Sequence, residues 1–121
     1  MATGLGSAGA NTALDALVAA YPWVKLHVGD PGAAGTTNAA TETTRKQATW
    51  AASSGGATSN SGALSWTTVA GTEDYTHFTL WTAATAGTFG ASGTITANAV
   101  ASGDTFTIAA GDLDLSLTLA S

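Results

Sequence analysis

The 121 residues include no cysteine, so neither a disulfide nor a thiolate metal site can brace the chain. Charge is scarce as well. Asp, Glu, Lys and Arg make up 9% of the sequence, where ordinary globular domains carry about 25%. Only Lys25, Arg45 and Lys46 are basic, and the net charge is −5. Nucleic-acid binding, which requires a basic patch, is therefore not expected. No apolar run approaches the length of a membrane span, so no membrane insertion is expected either. The opening Met1-Ala2-Thr3-Gly4 lacks the basic and apolar regions of a secretory signal, which predicts synthesis in a cytoplasm.

Thr, Ser, Ala and Gly fill the space that charge leaves. A surface so poor in Lys and Glu is weakly protected against association. Two readings are open: a small domain with a Ser/Thr-rich surface, or a domain whose surface is largely covered in an assembly. The length corresponds to one domain with a modest core.

Residues 1–10 (MATGLGSAGA) read as a flexible N-terminal arm, and 11–121 as a single β-sandwich domain that opens with a helix over 12–21. Gly4-Leu5-Gly6-Ser7-Ala8-Gly9 formally matches the dinucleotide fingerprint. No strand precedes it, so the match lacks the context that gives it meaning. Asn11 or Thr12 is placed to cap the helix, with Asp15 in its first turn. Leu14, Leu17, Val18 and Tyr21 form one apolar face, and Pro22 ends the segment.

Val24-Lys25-Leu26-His27-Val28 alternates apolar and polar residues, as a half-buried strand does. Gly29-Asp30-Pro31-Gly32 stops it. Pro31 presets φ for the second position of a turn, Gly32 accepts the positive φ of a type II turn, and Asp30 suits the backbone amides of that same turn. This corner predicts a flexible loop over 33–43 that reaches toward a partner. Further strands are predicted over 44–52, 57–69 (strongest at 64–69), 75–82, 88–100 (one strand, or two short ones around Gly90 and Gly93), 105–108 and 113–119. The last carries four leucines on one face. Short strands with Gly-rich turns predict an all-β fold, an antiparallel β-sandwich (jelly-roll-like) or barrel with one short N-terminal α-helix.

Little chemistry converges. His27 and His77 both fall in predicted strands, and no G-x-S-x-G elbow is present. The acidic residues are scattered. Asp112 and Asp114 share a strand face and could contribute to a calcium site, although no EF-hand spacing supports one. No catalytic residue, cofactor or metal is assigned, and the chain is not expected to be an enzyme. The four tryptophans either form a sugar-stacking platform or anchor a core or subunit interface. The interface candidates are Leu14, Leu17, Tyr21, Trp23, Trp50, Trp66 and Trp81, and Asp30, Pro31 and Gly32 are assigned as a structural turn.

Leu26-His27-Val28-Gly29-Asp30-Pro31-Gly32, followed by Gly35, Asn38, Glu42 and Arg45-Lys46-Gln47-Ala48-Thr49-Trp50, resembles a family of small tailed-phage virion proteins of the actinobacteriophage type. These often read LHTGDPG, then an Asn-Glu loop and an R-Q-A-V-T-W-like strand. Tyr75-Thr76-His77-Phe78-Thr79-Leu80-Trp81, Gly87-Thr88-Phe89-Gly90 and Val100-Ala101-Ser102-Gly103-Asp104-Thr105 are similar to later segments of that family. Val28 and the inserted Lys46 depart from its pattern.

The resemblance implies a virion structural protein, labelled head decoration, minor tail or tail fibre. It leads to the expectation of a capsid decoration protein that stabilises the shell as a homotrimer, partnered by itself and by the major capsid protein or tail proteins. The alternative is a minor tail or tail-fibre module that binds a host surface glycan.

Overall fold

Residues 7–10, part of the expected arm, are helical. The computed structural model describes residues 4–117 and 119, so Met1, Ala2 and Thr3 of the arm and Thr118 of the expected last strand lie outside the described residues. Helix α1 spans Ser7–Ala20 and starts five residues before position 12. Its N-cap is Gly6, in extended conformation and without a side-chain cap. Ala10 is the buried residue of its first turn, while Ser7, Ala8 and Gly9 are exposed.

The expected capping residues are engaged elsewhere. Asn11 Oδ1 accepts the Gly56 amide at 2.9 Å, and Asp15 Oδ1 accepts the Ser53 amide at 2.9 Å. Both tie α1 to the turn before the third strand. Leu14 and Val18 are buried, with Leu17 and Tyr21 packed against the same core. Tyr21 closes the helix by donating its amide to Leu17 O, and Pro22 follows.

Eight strands follow among the described residues: β1 (Trp23–His27), β2 (Lys46–Gln47), β3 (Ala57–Ser59), β4 (Leu64–Trp66), β5 (Glu73–Trp81), β6 (Phe89–Val100), β7 (Phe106–Ile108) and β8 (Asp114–Ser116). They form a four-stranded sheet in the order β2-β1-β5-β6, with two satellite pairs, β3-β8 and β4-β7. All pairings between these strands are antiparallel. The fold is all-β and sandwich-like, and no barrel closes.

Alternation along β1 and β5 sends Val24, Leu26, Phe78 and Leu80 to one face, all completely buried. Full burial of each such side chain contributes about 1.5–3 kcal/mol. The satellite strands supply Trp66, Phe106, Ile108, Leu113 and Leu115 to the same core. Trp66 and Tyr75 both pack on Phe106, with ring centroids 5.9 and 4.8 Å away.

Three expected strands are shorter than predicted, and the 57–69 region divides into β3 and β4. The 44–52 segment pairs with β1 only at Lys46 and Gln47. The Ala48 amide then bonds Pro22 O at 2.8 Å, at the junction of α1 and β1. The chain crosses to β3 instead, through the Trp50–Asn60 bridge and the Ala51 N to Ser59 O bond. The final segment is a regular strand only at β8, and Leu119 bridges Leu5 in parallel.

The loop after β1 does not reach outward. Val28 N bonds Asn38 O at 2.9 Å, Ala40 N bonds Leu26 O at 3.2 Å, and His27 bridges Ala39. At its corner the Gly32 amide donates to Asp30 Oδ1 at 2.9 Å, and Gly32 has φ +75°. Asn38 Nδ2 donates to Asp30 O at 3.0 Å and closes the loop on itself. Its backbone groups bond back onto β1, which makes it a compact flap.

Candidate functional site

The face of the main sheet opposite the core is polar and aromatic. The β1–β5 register places Trp23 beside Trp81, Lys25 beside Thr79 and His27 beside His77. His27 and Thr79 are completely buried there. His27 Nδ1 lies 2.9 Å from Thr37 O, and its Nε2 lies 2.9 Å from Thr79 Oγ1. A carbonyl only accepts, so Nδ1 carries the proton and Nε2 accepts the Thr79 hydroxyl. Trp81 Nε1–H in turn donates to Thr79 Oγ1 at 2.7 Å. Burial, the largest cause, holds His27 below its ordinary pKa and keeps it neutral. Both ring nitrogens are occupied, so His27 acts as a structural bolt between the flap and the sheet.

Arg45 covers the end of this face. Its guanidinium carbon sits 4.4 Å from the Trp81 ring centre. Nη1 donates to Ala83 O at 2.9 Å and Ala86 O at 2.6 Å. The cation thereby fixes the turn between β5 and β6, and the Phe89 ring packs against Trp81 with centroids 5.6 Å apart.

A second feature is concave. A groove of about 570 Å³ lies between α1 and residues 47–52, with Asp15, Val18 and Ala19 on the helix side. Pro22 stands at the junction of the two walls, and Trp50 is the aromatic residue of the lining. The Trp50 indole N–H is buried and has no hydrogen-bond partner. Hydrogen bonding from Ser53 holds the Asp15 carboxyl below its ordinary range.

The predicted site residues do not share one surface. Leu14 and Trp66 are each 1% exposed and belong to the chain's own core, so they cannot serve as the expected interface anchors. Trp81 is buried against Arg45 and Phe89, while Tyr21, Trp23 and Trp50 are half-buried. No tryptophan is fully exposed, so the paired exposed rings of a stacking platform are not formed. Asp112 and Asp114 are exposed, and among the described residues no three His, Asp or Glu side chains converge to hold a metal. Glu73 accepts the amides of Thr41 (2.6 Å) and Glu42 (3.4 Å), and so caps the 41–44 loop. Burial, with help from Glu73 and Glu42, pushes the neighbouring Tyr75 hydroxyl up to about 12.

The family model described as "Podophage GP4 fiber I protein gp80" matches residues 5–116. The chain belongs to this family. No curated protein matches it significantly. Membership makes the chain a phage structural, fibre-type protein associated with the virion.

Within this fibre-family chain, sequence reasoning missed two residues that organise the structure. Asn60 is 2% exposed and makes four side-chain hydrogen bonds, to Gly62 O, Ala109 O, Gly111 N and Leu113 N. Nothing in the surrounding Ser59-Asn60-Ser61-Gly62 distinguishes it from an ordinary turn asparagine. Thr79 was legible only as one position in a strand, although it joins His27 to Trp81.

Proposed function

We propose that the chain is a non-enzymatic module of a podophage tail fibre, assembled with copies of itself and with other tail proteins. The observation that carries this reading is the fibre-family match across residues 5–116. It favours the tail over the capsid-decoration role that the sequence resemblance put first.

Two features of the fold support assembly. Residues 75–103 contain no Asp, Glu, Lys or Arg. The sheet order also leaves β6 at an edge, twelve residues long and without proline. Charge, proline or brevity protects many edge strands from pairing; β6 has none of these, although two register shifts against β5 interrupt its ladder. The opposite edge, β2, has two residues and includes Lys46. The bonded state of His27 supports a non-catalytic role for that histidine.

On this reading the outward faces of the module meet the host surface, where glycans are the expected ligands. Immunogold labelling of intact virions with antibody against the chain tests it. Label confined to the tail is expected, and shell-wide label would overturn the reading in favour of capsid decoration. Native mass spectrometry of the purified chain should show a homo-oligomer, with the trimer as the expected species.

A further inference from the structure

The groove between α1 and residues 47–52 is shallow and open to solvent, with the volume of a small-ligand site. Its volume of about 570 Å³ falls within the roughly 300–1,000 Å³ of such sites. Ala19, Ala48, Ala51 and Ala52 create the space, since their side chains leave it unfilled. Trp50 contributes an aromatic wall that is half-buried and so held in place. The Ser53 amide, 2.9 Å from Oδ1, fixes the exposed Asp15 carboxylate at the rim. Gln47 and Thr49, both exposed, add an amide and a hydroxyl.

This combination matches a sugar ring. The C–H face of a pyranose is weakly positive and packs on the negative face of an indole. Its hydroxyls donate well to a fixed carboxylate, and such charge-assisted bonds are roughly twice as strong as neutral ones. Charge selects among sugars. Asp15 is the only charged residue of the lining, and no Lys or Arg is present to offset a phosphate or uronate. An anionic ligand would meet repulsion without compensation.

We propose that this groove binds neutral saccharides, with Trp50 as the stacking wall and Asp15, Gln47 and Thr49 as hydroxyl partners. The proposal rests on the fibre reading for its setting at the host surface.

The test is titration of the full chain with neutral oligosaccharides of glucose, galactose and mannose, and with sialylated and uronate-containing ones, followed by NMR of backbone amides. Binding of at least one neutral series is expected, with shifts concentrated in 15–22 and 47–53. Ala19→Trp fills the groove from an exposed helix position and should weaken binding about tenfold or more at unchanged Tm. Asp15→Asn keeps an acceptor for Ser53 and should weaken binding less.

Absence of neutral-sugar binding, preference for the anionic series, or full binding by the Ala19→Trp variant would each overturn the assignment. So would loss of self-association in that variant with sugar binding intact, since a second copy would then occupy the groove. Virion labelling separates the two proposals. Tail label without sugar binding overturns only the groove, and shell label with sugar binding overturns only the fibre reading.

Discussion

His27 Nε2 lies 2.9 Å from Thr79 Oγ1, with both side chains fully buried between β1 and β5. The bond needs a neutral imidazole that carries its proton on Nδ1, facing Thr37 O. Nitrogen chemical shifts of the ring should therefore report the Nδ1–H tautomer at pH 7. A spectrum of the Nε2–H tautomer would contradict the geometry.

The same burial makes stability depend on pH. The folded-state pKa of His27 lies below its ordinary 6.5, so the unfolded chain binds this proton more readily. The contribution is complete above the unfolded value and is lost as pH falls below about 6.5 toward the folded pKa. One proton limits the slope to about 1.4 kcal/mol per pH unit. Urea unfolding between pH 7.5 and 5 should show this decline, and His27→Gln should flatten it.

Asn60 should be among the least tolerant positions. Its amide nitrogen bonds Gly62 O (2.8 Å) and Ala109 O (3.1 Å), and its oxygen bonds Gly111 N (3.1 Å) and Leu113 N (2.9 Å). Asn60→Ala removes the partner of Gly62 O and Leu113 N, while Gly111 N keeps the Asn60 carbonyl and Ala109 O keeps the Asp112 amide, and should cost about 2 kcal/mol or more. Asn60→Asp turns the donor side into an acceptor that faces two carbonyls, and should be at least as damaging at neutral pH. Urea midpoints measure both.

Gly93 is required by Phe78. A Cβ at position 93 would stand 2.7 Å from Phe78 Cε1 and 2.8 Å from Cζ, and that ring is fully buried. Gly93→Ala must displace a core aromatic and should destabilise by about 1–3 kcal/mol. Gly55, with nothing within 4 Å of a built Cβ, offers a steric contrast although its φ is +58°. Thermal melts of the two alanine variants should separate the overlap at Gly93 from the backbone strain at Gly55.

Arg45 should not be replaceable by lysine. A single ammonium cannot both cover the Trp81 ring and hold the carbonyls of Ala83 and Ala86 in the same geometry. Arg45→Lys should raise amide hydrogen exchange across residues 82–88 and leave exchange in β1 unchanged. Equal protection in the variant would show that the turn holds itself.

Residues with strong local patterns behaved as their patterns predict. Tyr75-Thr76-His77-Phe78-Thr79-Leu80-Trp81 lies within β5, and Leu113 and Leu115 turn into the core, because alternation and β-branched or aromatic content act over a few residues. The all-β class followed from the same local signals.

Other features depended on contacts between distant segments. Helix α1 begins at Ser7 without a side-chain cap, and Ala10 is the residue of its first turn that packs into the protein. Asn11 and Asp15 bond amides some 40 residues away, at Gly56 and Ser53, and so leave their local roles. The segment after Gly29-Asp30-Pro31-Gly32 closes on β1 because Asn38 and His27 find partners there. Spacing along the chain specified where it turns and which side chains are apolar. Which polar groups meet, and so where the groove and the buried His27–Thr79–Trp81 network lie, was decided by tertiary packing. A buried donor left unpaired is costly, and the partner it finds is set by proximity in space.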